Sequence, residues 1–216
     1  MRLPLDILMT LVSIVLMGGA YLFPDDIVHE MLGVALVVLW AVHVLLNRRW
    51  YSAVFRGSYN ARRILQTVIN SGILISVLFL IISGIILSNY VFIFLEIESG
   101  LGFARSAHLL ASHWYFLFMS LHIGLHVQMI AGKMKVQNEG ALSIILRVLF
   151  ILLSLYGIYA FITRGIWRYL ILAQQFFFFD FERGYLLFAL DYVSIIVLFA
   201  SIIHYLDKFL KMRNVA

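Results

Sequence analysis

The 216-residue chain is 63% hydrophobic and only 12% charged, carries a formal net charge of +5, and has no cysteine. That composition is far from a soluble globular domain and reads as an all-α polytopic membrane protein. Without cysteine there are no disulfides, no cysteine-ligated iron–sulfur cluster and no C-x-x-C-H for covalent haem, so any metal or cofactor must be held by histidine, methionine or oxygen.

A bilayer core of about 30 Å needs roughly 20 apolar residues per helix. Six windows qualify, at about 4–23, 27–46, 64–88, 106–130, 142–163 and 185–207. They predict six transmembrane helices in a single domain over 1–216, with a core over about 1–130 and two further helices over 142–207. The first window is long, is preceded by a single Arg2 and lacks a small-residue cleavage site, so it is expected to stay as a span. Pro4 suits a first helical turn and Asp6 suits the positive end of the helix dipole. Phe23-Pro24-Asp25-Asp26 closes the first span and opens the second, with Asp26 expected as its N-cap.

The second span carries His29 and His43, and the fourth carries His108, His113, His122 and His126. His29 to His43 and His108 to His122 are both 14-residue steps, which places each pair of histidines on nearly one helix face about 21 Å apart. His29 lies three residues beyond Asp26 and His108 three beyond Arg105, so the two are expected at one depth near the outer surface. Helices two and four run in the same direction, which brings His43 level with His122. One histidine on an apolar face is ordinarily a packing residue or a helix–helix hydrogen bond. Four forming two level pairs predict a bundle that binds two haems, through His29 with His108 and His43 with His122.

His113 stands about 140° from His108 and 180° from His122 around the helix and is expected to pack elsewhere. His126 competes with His122, being five whole turns below His108 and one turn below His122. Depth counted from the basic flank favours His126, and depth counted from the outer anchor favours His122. His122 is taken as the ligand, with His126 an alternative ligand or part of a quinone site. Gly33, Gly72 and Gly84 offer the missing side chains that a flat macrocycle between helices requires, although small residues also serve ordinary membrane packing.

Segment 47–63 is basic with interfacial aromatics and reads as a membrane-surface anchor, with pairing to haem propionates a secondary use of its arginines. Gln66 and Asn70 form a polar pair that suits a quinone carbonyl or a neighbouring helix equally. Segment 164–184 is too interrupted to cross and is expected in the outer interface as a short helix and aromatic belt. Asp191 is a functional candidate as an ionisable residue within a span, or a salt-bridge partner for Arg183. His204, near Lys208, reads as a surface histidine. Of the 16 Lys and Arg, four (Arg105, Arg164, Arg168 and Arg183) fall on one side of these spans. The other twelve are Arg2, Arg48, Arg49, Arg56, Arg62, Arg63, Lys133, Lys135, Arg147, Lys208, Lys211 and Arg213. That bias predicts both termini in the cytoplasm, and it accounts for the positive charge without a nucleic-acid partner.

The two 14-residue steps resemble the dihaem cytochrome b of quinol–cytochrome c oxidoreductases. More closely, His29-Glu-x-x-Gly33, His43-x-x-x-Asn47-Arg-Arg-Trp50, Tyr59-Asn-Ala-Arg-Arg63 and His122-x-Gly-x-His126 resemble a bacterial membrane domain family of unknown function. That family is related to the b-type cytochrome subunits of formate dehydrogenases and nickel–iron hydrogenases. The resemblance covers about residues 1–130. It implies two noncovalent haem b groups, menaquinone exchange and the bacterial cytoplasmic membrane.

The expected function is transmembrane electron transfer between a (mena)quinol pool and a redox partner protein. Alternatives are reduction of an extracellular acceptor such as ferric iron or a flavin domain, a haem or metal transporter built on His122-x-x-x-His126, and a structural anchor for a peripheral subunit.

Overall fold

The structure is a computed structural model that describes residues 3–23, 25–54, 56, 58–133 and 140–213. Arg2, Pro24 and Lys135 lie outside the described residues, as do the side chains of Lys133 and Arg213. Eight α-helices follow one another among the described residues: α1 Leu3–Leu16, α2 Asp26–Leu46, α3 Arg48–Ala53, α4 Ala61–Leu87, α5 Leu101–Lys133, α6 Ala141–Thr163, α7 Ile166–Leu170 and α8 Gly184–Arg213. Five of them, α2, α4, α5, α6 and α8, are long and apolar enough to cross a membrane. Their outward faces carry exposed Ile, Leu, Val and Phe, a surface that suits lipid rather than water.

The first window departs from a continuous span. Helix α1 has 14 residues, and the chain turns at Gly18 and Gly19 before a 3-10 turn over Gly19–Leu22. Gly19 has φ +62°, a left-handed conformation that glycine adopts without strain, and the Leu22 side chain folds back into the space above Gly18. Helix α2 begins one residue earlier than expected relative to its cap. Asp25, with extended backbone, is the N-cap residue, and Asp26 is the first helical residue. The basic segment contains the short helix α3, and α4 starts at Ala61, where the Asn60 side chain accepts a hydrogen bond from Arg63 N (2.9 Å).

Helix α8 is the packing centre, and half of its apolar stretch is buried. It meets α5 and α6 along its length, and two glycines set how closely. A Cβ on Gly124 would press on the Ala200 backbone, and one on Gly157 would press on the Ser194 carbonyl. Close backbone approach through small residues is how membrane helices gain van der Waals contact. Phe116, Phe188, Tyr192, Ile195 and Ile166 fill the core around this contact. After α7, Phe177 and Phe179 turn inward while Phe176, Phe178 and Phe181 stay exposed, so the aromatic run has one face in the bundle and one outside.

Candidate functional site

Helix α2 carries His29 and His43 but is held off the rest of the bundle. It lies against α1, has only slight contact with α4, and none of its 21 residues is buried. Between α2 and the tightly paired α4 and α5 is a cavity of about 540 Å³, bounded by Val37 and Trp40 of α2, Ile81 of α4, and His108 and Tyr115 of α5. Gly33 and Gly84 open onto it. A Cβ on Gly33 would meet nothing within 4 Å, and one on Gly84 would meet only His108 Cε1 at 3.8 Å. Gly72 has a different surrounding, because the Phe118 ring occupies the space a Cβ would need.

Two histidine pairs join α2 and α5: His29 with His108, which both line this cavity, and His43 with His122, which lie beyond its lining. The ring centres of His29 and His108 are 6.4 Å apart with planes at 61°, and those of His43 and His122 are 6.3 Å apart at 74°. Both pairs are edge-to-face rather than stacked. A single metal atom bonded to one nitrogen of each imidazole, at about 2 Å per bond, separates the two ring centres by about 6.3 Å. Both pairs therefore have a spacing that one metal atom shared between the two imidazoles would give.

The partners at Nδ1 decide which nitrogen is free. Ser83 Oγ–H donates to the Phe79 carbonyl (2.6 Å), so His108 Nδ1–H is the donor toward Ser83 Oγ at 3.0 Å. His122 Nδ1–H donates to Asn70 Oδ1 (2.8 Å), and His43 Nδ1–H donates to Asp6 Oδ1 (2.8 Å). With Nδ1 protonated in all three, the lone pair is on Nε2. Ligating histidines are oriented in this way, by a hydrogen bond from the other ring nitrogen. His29 is held less firmly: the Gly19 carbonyl is its nearest acceptor, but Nδ1 makes no bond of good geometry.

At the His29 end the cavity is also lined by Asp26, Glu30, Asn89 and Arg105. Glu30 ties α2 to the chain after α4, accepting from Ser88 Oγ (2.7 Å) and from the backbone N–H groups of Asn89 (2.7 Å), Tyr90 (3.2 Å) and Val91 (2.9 Å). At the second pair the His43 and Asp6 side chains are 25% and 36% exposed.

The remaining candidates are placed as follows. His126 packs edge-on against His122, with ring centres 4.7 Å apart. His113 is turned away from both pairs, bonds the Leu109 carbonyl through Nδ1 (2.8 Å) and stacks on Tyr169 at 4.2 Å. Burial raises the Tyr169 phenol above its ordinary pKa, so it stays neutral there. Asn70 is engaged with His122 on the neighbouring helix. Asp191 is fully buried and accepts from Tyr156 Oη (2.6 Å) and Arg164 Nε (2.7 Å), with Arg183 at 3.6 Å, so both basic neighbours join it. In segment 47–63, Arg62 pairs with Asp207 of α8 (2.6 Å), and Arg63 binds the Ser58, Ala53 and Arg56 carbonyls within its own loop. His204 is half-buried beside Tyr205.

The sequence alone did not single out Ser83, carried Glu30 only within the His29-Glu-x-x-Gly33 motif, and gave Asp6 only a helix-end role. Asp6 had one usable signal, as a rare carboxylate within an apolar window. Among the described residues no three His, Asp or Glu side chains converge on one point as a metal-ion site; the histidines meet in twos. Comparison with protein-family models, with curated proteins and with solved structures finds no match for the chain in any of the three.

Proposed function

We propose that the chain is a dihaem b-type cytochrome that carries electrons across a membrane between a (mena)quinol pool and a redox partner. The observation that carries this reading is the pair of facing imidazoles, twice over, at 6.4 and 6.3 Å between ring centres. A flat group also fits the gap beside α2, where Gly33 and Gly84 present no side chain. His29 and His108 would hold one haem, and His43 and His122 the other. When bound, haem supplies one-electron transfer at iron, and the protein sets ligation, dielectric and access.

The chain's own residues do the rest. Ser83 and Asn70 hold His108 and His122 with Nε2 free, Trp40 and Tyr115 line the cavity beside the His29 pair, and Arg105 offers a cation to an acidic edge at the His29 end. His126, beside His122, is available for contact with a quinone or a propionate. The sequence resemblance supports haem b, menaquinone and the bacterial cytoplasmic membrane as the setting.

The reading includes a sixth crossing. Helix α1 rises about 21 Å, most of the roughly 30 Å of a bilayer core, before the chain turns at Gly18 and Gly19. With six crossings and the basic residues inside, both termini are cytoplasmic, the His29 pair is the outer site and the His43 pair the inner one.

An optical spectrum of the purified protein tests the function. A reduced-minus-oxidised difference with a sharp alpha band and two haems per chain is expected. A colourless protein that retains zinc instead overturns the reading in favour of a metal transporter.

A further inference from the structure

The two histidine pairs differ in the charge of the groups behind them. His108 bonds the neutral Ser83 hydroxyl, and His122 bonds the neutral Asn70 amide. His29 has the Gly19 carbonyl nearby and no firm partner. Only His43 donates to an anion, Asp6, at 2.8 Å. The carboxylates near the His29 pair are placed differently. Glu30 is engaged by four donors from residues 88–91, and Asp26 and Arg105 line the cavity rather than bond a ring nitrogen. Beside His126, one turn from His122, the other charged groups are Arg62 and Asp207, and Asp207 is paired with both Arg62 and Lys211.

We propose that Asp6, reaching across from α1 to α2, is a positioning residue for the inner site: it fixes His43 with Nε2 toward His122 and makes the inner haem harder to reduce than the outer one. The inference rests on the dihaem reading and adds an ordering of the two sites. A carboxylate hydrogen-bonded to a ligating imidazole raises the basicity of that ligand and favours the higher charge on the metal. Hydrogen bonding behind the axial ligand is one of the levers that sets haem potential. At the outer site Asp26 and Glu30 lie near His29 and act on it through space only, and no carboxylate among the described residues accepts from a ring nitrogen of His29 or His108. It follows that electrons entering at the inner site have a downhill step to the outer one.

The test is an anaerobic redox titration of the purified full-length protein, followed at the alpha band, with the inner wave identified as the one missing from His122→Ala. Asp6→Asn keeps the shape and removes the charge. It should make the inner haem about tenfold easier to reduce, a rise of about 59 mV for one electron, and leave the outer wave in place. Asp6→Glu restores the carboxylate and should return the inner wave toward its original position. Loss of the inner haem alone in Asp6→Asn, with both haems kept in Asp6→Glu, also supports positioning. Unmoved waves at full haem content overturn the proposal, as do equal shifts of both waves. So does equal loss of both haems in the Asn and Glu variants, since that would mean Asp6 serves only the packing of α1. If the unsubstituted protein binds no haem, the dihaem reading itself has failed, which is a separate result visible before any variant is made.

Discussion

His122 and His126 lie one turn apart on α5, and only one of them can complete the site opposite His43. His43 and His122 have ring centres 6.3 Å apart, the spacing that two metal–nitrogen bonds of about 2 Å require. His126 is 4.7 Å from His122 and on the same helix, so bringing it to His43 would slide α5 by roughly 6 Å along its axis. That slide would also pull Gly124 off Ala200, where α5 and α8 meet backbone to backbone. On the dihaem reading, His122→Ala should therefore remove one haem of the two, whereas His126→Ala should retain both and change the midpoint potential or quinol turnover. Asn70→Leu sharpens the test, because it leaves both histidines in place and removes only the acceptor for His122 Nδ1–H. Loss of such an orienting partner typically weakens metal binding by about 10- to 100-fold, so the inner haem should be lost first on dilution. The assay is haem per chain from the alpha band, measured at several protein concentrations. Haem lost in His126→Ala but kept in His122→Ala, with Asn70→Leu indistinguishable from the parent, would refute the assignment.

His29→Ala should remove the outer haem and keep the inner one; retention of both would break the His29–His108 pairing. In this cysteine-free chain, Ser58→Cys should resist an impermeant thiol reagent in intact cells and react after permeabilisation, and labelling of intact cells would invert the topology. Asp191→Ala leaves Arg164 and Arg183 without their carboxylate, and breaking a buried ion pair costs about 3–5 kcal/mol. Its unfolding midpoint in detergent should fall by several degrees without a change in haem stoichiometry per folded chain. Haem depletion should raise amide exchange in α2 far more than in α8, because α2 has no buried residue; equal protection in both states would count against a cofactor between α2 and α5.

What could be read from the sequence was what depends on position along a single helix. Fourteen residues fix an angle and a rise, so the equal steps from His29 to His43 and from His108 to His122 place four rings on two faces, and the structure has these rings facing one another. The same arithmetic separates His113, which the structure stacks on Tyr169. What could not be read depends on how helices rotate and slide past one another. Asp6 reaches His43 only because α1 packs on α2 at that depth, and Ser83 reaches His108 only because α4 pairs closely with α5. Asn70 was visible as a polar residue in a span, but its partner was not, and Gly72 resembled Gly84 until the Phe118 ring was seen above it. The break in the first window was hidden for a related reason, since glycine is common inside membrane helices and Gly18-Gly19 does not by itself announce a turn.

The weak hold on α2 and the tight hold on α8 are two parts of one arrangement. Between apolar helices in lipid there is little hydrophobic drive to associate, so a helix is held by packing, by polar bonds or by something placed between it and its neighbours. Helix α8 uses the first two: backbone contact at Gly124 and Gly157, and ion pairs at Asp191 and Asp207 that tie its two ends to Arg164 and Arg62. Helix α2 has polar bonds at its ends, through Glu30 to residues 88–91 and through His43 to Asp6, and little packing between them. The stretch between those two bonds borders the 540 Å³ cavity and carries Gly33, Val37 and Trp40. Filling that stretch with larger side chains would let α2 pack on α4 as the other helices pack, but it would close the gap that His29 and His108 face. On the dihaem reading, the missing helix contacts are made through the cofactors, so α2 gains its docking energy on binding, and binding is coupled to the final packing step of the fold.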